Sequence, residues 1–246
     1  MKTSPNNRSR RGVAWAIVGG AVLLVGILAI ILAAIFSGGS PITPAETAPP
    51  GATPTTKPVE PATGEFVDSS VTEKGWVPEP VTTDPETYVR AALAAAATFD
   101  TQLSSRPEWL THLDTWFTPD TRYTSEEDRQ SDIQASQLEM RQGVVLPEAE
   151  WDSLANEDGR VVAETVGEIE YSDVPDDNSG GMRIGTANVV LTFTRSDGNG
   201  AESSYEDTVR VSVQVICGEG SIPTPNTAQQ SGDCKVVRYF SGSLEP

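Results

Sequence analysis

Apolar positions fall along this chain in three regimes. Val13 to Phe36 is a continuous run of 24 residues with no charged or strongly polar side chain. At the rise of an α-helix it would extend about 36 Å, enough to cross a hydrocarbon core with some tilt. Residues 37–82 are rich in Pro, Thr, Ala and Glu and show no period, with prolines at 41, 44, 49, 50, 54, 58, 61, 78 and 80. Such a stretch lacks the apolar surface that would offset its ordering entropy, and its prolines favour extended backbone. It reads as a disordered linker. Residues 83–246 carry the pattern of a folded domain, helical first and alternating later.

Three helices are predicted. Asp84-Pro85-Glu86 supplies an N-cap, a proline at the first helical position and an acid in the first turn. Tyr88, Ala92, Ala96, Phe99 and Leu103 then share one face. Ser105 with Glu108 makes a capping box for a second helix, whose apolar face is Trp109, Leu113, Trp116 and Phe117. Thr124 with Glu127 opens a third, more polar helix through Ile133 and Leu138.

Beyond about residue 143 the period becomes two. Val161, Ala163, Thr165, Ile169 and Tyr171 alternate with Glu164, Glu168 and Glu170. Ala187 to Phe193, Tyr205 to Val215 and Lys235 to Phe240 form three further series. One buried and one wet face per strand is the mark of an antiparallel sheet, and Asp197-Gly198-Asn199-Gly200 supplies a hairpin turn. Helices first and strands later predict an α+β fold, with about three helices laid across the apolar side of a curved four-stranded antiparallel sheet. Cys217 and Cys234, the only cysteines, end one predicted strand and start the next. Outside the cell such a pair oxidises, and a bridge closing a loop of this size contributes about 3 kcal/mol by the chain-entropy model.

Charge sets the orientation. Lys2, Arg8, Arg10 and Arg11 lie in residues 1–12, which hold no acid. The positive-inside rule makes residues 1–12 a cytoplasmic tail and residues 13–36 a transmembrane helix in contact with membrane lipid, with the C-terminal domain extracellular. A cleaved signal peptide is the rival reading, but its apolar core is usually about 7–15 residues long, shorter than this run. The net charge is -18, and all 35 acids lie beyond the tail. An acidic domain repels phosphate backbones, so no nucleic-acid partner is expected. The same charge keeps the domain soluble and suits a basic partner.

The residues that usually carry catalysis are sparse. His112 is the sole histidine, no phosphate-cradling or dinucleotide glycine motif occurs, and no metal-ligand spacing is present. No catalytic residue, cofactor or metal is therefore predicted, and the chain reads as a non-enzyme. Asp173, Asp176, Asp177 and Asn178, with Gly180 and Gly181, hold oxygen ligands of the kind calcium takes, but not at EF-hand spacing. A calcium loop and a solvated turn both stay open there. Trp109, Trp116 and Trp151 could line a ligand cavity, although an aromatic core is the simpler reading.

The order of parts (basic tail, membrane helix, Pro/Thr linker, Ala-rich helix, Trp-containing helix, antiparallel sheet) resembles membrane-anchored proteins with an NTF2-like (cystatin-like) ectodomain. Within that group it is most similar to the bitopic scaffold proteins of Gram-positive conjugation and type IV secretion machines. The residues that carry the resemblance are Tyr88 to Leu103, Glu108-Trp109-Leu110 with Thr118-Pro119, and the strands from Val161 to Phe240. It implies a cone-shaped domain and a scaffold or accessory subunit of an envelope complex, working through protein partners and homo-oligomerisation. The alternative it leaves is an extracytoplasmic module that binds a small ligand inside the cone. An isomerase of the same fold would need an acid and a tyrosine facing that interior, for which Tyr88, Asp100 and Tyr171 are the candidates.

Overall fold

The alternating segments build one antiparallel meander. The computed structural model describes residues 65–196 and 198–241. Strand β1 is Phe99–Asp100, β2 Arg160–Asp173, β3 Met182–Ser196, β4 Glu202–Gly218 and β5 Gly232–Ser241. They pair in the order β1-β2-β3-β4-β5, every pair antiparallel. The sheet thus has five strands rather than four, because the two-residue β1 adds to the edge of β2. The helices are α1 (Pro85–Ala95), α2 (Arg106–Asp114), α3 (Glu126–Gly143) and α4 (Glu148–Ala155). The expected cytoplasmic tail, the transmembrane helix and most of the linker lie outside the described residues. Among the described residues no helix is long and apolar enough to cross a membrane.

The helix starts follow the sequence more closely than the ends. Asp84 accepts from the Thr87 amide at 3.0 Å, and the Ser105–Glu108 capping box is formed. The third cap is Ser125, not Thr124: its hydroxyl accepts from the Asp128 amide at 3.1 Å. Helix α1 stops at Ala95, well short of Leu103. Thr98 instead accepts from the Ala163 amide at 3.0 Å, Phe99 pairs with Val161, and Leu103 is exposed. Likewise α2 ends before Trp116 and Phe117. Their segment runs parallel to β5, where Thr118 N donates to Val236 O and Val236 N to Trp116 O. The unpaired backbone of a sheet edge captures apolar residues that periodicity alone assigns to a helix.

Two elements stand where the pattern gives no element. Helix α4 brings Trp151 into the core. Residues 65–82, read as the end of the linker, are folded. A 3-10 helix spans Ser69–Lys74, Phe66 bridges to Pro80, and Val71 and Trp76 are buried. Those apolar anchors supply what a disordered linker lacks, so residues 65–82 belong to the folded domain.

The main core lies between the helices and one face of the sheet. Trp109, Trp116, Tyr88, Phe99 and Leu113 are among its fully buried side chains. The three tryptophans asked about above are core residues, with Trp151 stacked on Phe99 and Trp109. Helix α1 reaches the sheet at Gly185, where a Cβ would stand 2.8 Å from Val89 Cγ1; no larger residue fits this approach. Register shifts in β2 between Val166 and Glu170, and Gly167 within that bulge has φ 73°. Arg90 of α1 holds the bulge by donating to the carbonyls of Thr165 and Gly167. Bulges of this kind bend a strand and add to its twist. Val174, Met182, Ile184, Ile216 and Val237 form a second, smaller apolar cluster. Cys217 and Cys234 are bonded to each other, tying the end of β4 to the start of β5.

Candidate functional site

A trough lies on the core-facing side of the sheet. Its floor is Val161 of β2, Val189, Leu191 and Phe193 of β3, and Val209 and Val211 of β4. The C-terminal end of α1 and the 143–147 segment between α3 and α4 form its walls, enclosing about 470 Å³. Asp207 is the sole carboxylate among the lining residues. It is exposed and accepts from the neighbouring Thr208 amide at 2.8 Å. The isomerase arrangement is not assembled here, because none of Tyr88, Asp100 or Tyr171 lines the trough. Tyr88 is fully buried, Asp100 accepts from the Gln102 amide at 2.8 Å, and Tyr171 stands exposed on β2.

A second cavity of about 410 Å³ opens beside the 3-10 helix. Glu79 is part of its lining and is 1% exposed. One carboxylate oxygen, Oε1, accepts from Tyr88 Oη at 2.5 Å, Gln229 Nε2 at 3.0 Å and Lys235 Nζ at 2.8 Å. Lys235 is equally buried and also donates to Thr115 O and Thr224 Oγ1, each at 2.8 Å. Burial holds its ammonium below the ordinary lysine range, with the Glu79 carboxylate opposing. Burial also raises the Tyr88 phenol well above its usual range, and the Glu79 charge adds to the effect. The chain thus carries a buried ion pair reinforced by two neutral donors, drawn from a segment read as linker and from the last strand.

His112 borders the same cavity. Its ring stacks on Trp76, with centroids 5.0 Å apart, and meets Trp116 edge-on. Nε2 lies 3.1 Å from the Val77 carbonyl and 3.4 Å from Trp116 Nε1. One nitrogen cannot donate to the first and accept from the second at once, and the shorter contact places the proton on Nε2. Burial lowers the His112 pKa below the ordinary histidine value, while the Val77 carbonyl opposes that shift. A histidine lowered in the folded state contributes stability that is present above the unfolded pKa and lost as pH falls below it. Unfolding free energy should therefore decline as pH drops through about 6.5. A His112→Gln variant should lose that part of the decline in a pH series of urea titrations; an unchanged slope would refute the assignment.

No family model matches the chain, and no curated protein matches it. Two solved structures do. One is an IcmL-like type IV secretion system protein from Legionella pneumophila, 10% identical, with 66% of this chain and 95% of that one covered and a TM-score of 0.38. The other is CagV, a VirB8 homolog of the type IV secretion system of Helicobacter pylori, at 11% identity, 65% and 96% coverage and a TM-score of 0.38. Both are proteins of type IV secretion systems.

The acidic loop after β2 is organised by its own backbone. Asp177 Oδ1 accepts from Ser179 N and Oγ, and Oδ2 accepts from Met182 N at 2.9 Å. Among the described residues no group of three His, Cys, Asp or Glu converges as a metal site.

Proposed function

We propose that this chain is a membrane-anchored, non-enzymatic scaffold or accessory subunit of an envelope-spanning complex, of the kind that serves conjugative transfer or secretion. The apolar run of residues 13–36 anchors it, the Pro-rich stretch carries the folded domain away from the bilayer, and the domain docks protein partners. The observation that carries this reading is the trough: an open apolar surface on a rigid sheet, whose sole lining carboxylate is exposed and engaged with a neighbouring amide. Such surface suits packing against another protein better than proton transfer, which needs a positioned acid or base of shifted pKa. Crosslinking the full-length protein in cells, followed by detergent extraction and mass spectrometry, tests it. Recovery of other membrane-complex subunits or of a discrete homo-oligomer is expected; an uncrosslinked monomer would overturn it.

A second reading is favoured by the trough's size, which falls in the range of small-ligand pockets. Here the trough would hold an apolar ligand oriented by Gln142, Arg210 and Ser241. A small molecule co-purifying with the monomer, and lost in a Leu191→Arg variant, would select this reading over the first.

A further inference from the structure

Glu79 presents an imbalance. All three of its donors converge on Oε1, and Oε2 has no hydrogen-bond partner among the described residues although the side chain is 1% exposed. A buried carboxylate oxygen without a donor is costly, and native proteins rarely leave one so. Glu79 lines a cavity whose rim is exposed at Asp68, Thr115 and Asn226. The residues around that cavity include the two carboxylates Glu79 and Asp68 but neither Lys nor Arg. Lys235 offsets the Glu79 charge from the protein side, so Asp68 leaves the cavity net negative. Val67 and Val71 give it one apolar wall.

We propose that this cavity binds a cationic amine or guanidine group, its charged head drawn to the Glu79 and Asp68 carboxylates and its apolar stem along Val67 and Val71. The head supplies a charge that the cavity is short of. A metal ion fits less well, since no set of three suitable ligands converges among the described residues. His112 competes little with such a cation, because burial disfavours its charged form. The site lies apart from the trough and does not depend on the scaffold reading.

Ligand-observed saturation-transfer NMR on the full-length protein in detergent micelles provides the test, with n-butylammonium, methylguanidinium and the neutral n-butanol as probes at pH 7. Both cations should bind, and n-butanol should bind about tenfold more weakly or not at all. Glu79→Gln should weaken n-butylammonium about tenfold. Glu79→Gln also disturbs the ion pair with Lys235, so Asp68→Asn is the second variant. It keeps an oxygen to cap the 3-10 helix and should weaken binding a few-fold, an effect that added salt erases. Equal binding of n-butanol, no binding by any probe, or unchanged affinity in Asp68→Asn would overturn the site and leave Oε2 to water. Comparing n-butylammonium with an N-acetyl-lysine methylamide identifies the natural source. Tighter binding of the lysine derivative points to a partner's side chain, and tighter binding of the free amine to a small-molecule ligand.

Discussion

Lys235→Met is expected to destabilise the domain by about 3–5 kcal/mol, the usual cost of removing one partner from a buried ion pair. The change leaves the Glu79 carboxylate in place with only Tyr88 and Gln229 as donors, in surroundings that admit almost no solvent. It also takes the ammonium away from the Thr115 carbonyl and the Thr224 hydroxyl, which keep their bond to each other at 3.2 Å. The double variant Lys235→Met with Glu79→Gln should recover a large part of the loss, because an amide can still accept from Tyr88 and no charge remains. Urea unfolding followed by tryptophan fluorescence measures both. A loss under about 1 kcal/mol in the single variant would mean that the pair is effectively solvated. A double variant no better than the single one would mean that packing of the lysine stem, not the uncompensated charge, carries the effect.

Trp109→Ala should cost a similar amount, about 3–5 kcal/mol, for a different reason. Trp109 is fully buried and makes aromatic contacts with Phe99 at 5.0 Å and Trp151 at 5.4 Å between centroids. Its removal opens a cavity where α2, α4 and β1 meet, and the rings around it are too large to collapse inward. Its Nε1 has no hydrogen-bond partner among the described residues, so the loss is one of packing alone. Trp109→Phe keeps most of the ring contact and should cost less than half as much. Equal losses in the two variants would show that the indole nitrogen makes a bond after all.

Those two sites were not equally legible. Strand β2 could be read because one of its faces stays wet: Val161 and Ala163 alternate with Val162 and Glu164, and the structure exposes the latter pair, whereas β5 is buried on both faces over residues 233–237. The pairing of β3 with β4 and the disulfide followed from turn chemistry and from the lack of any other cysteine. Helix ends were harder. Phe99, Trp116 and Phe117 are apolar, and helical spacing and sheet-edge pairing make the same demand on them; only the position of β2 and β5 in space decides. The Glu79 cluster was hidden twice over. Glu79 sits between Pro78 and Pro80, in a segment whose composition is that of a linker. Lys235 opens a strand, where a charged residue ordinarily marks a wet face. They meet across 156 residues of chain, a distance over which local pattern says nothing.

The way residue 65 enters the fold has a mechanical consequence. Val81 N donates to Glu65 O and Val67 N to Glu79 O, so residues 65–67 are held to residues 79–81 by a short antiparallel ladder with Glu65 at its open end. A pull on residue 65 directed away from the sheet meets these bonds in series, like the teeth of a zipper, and each carries the full load in turn. The long β3–β4 ladder lies outside that line of force and stays intact. Val67 would be drawn off the wall of the cavity that Glu79 lines before the core yields. Tension reaching the domain from its N-terminal side would thus be registered first as solvent entering beside a buried carboxylate.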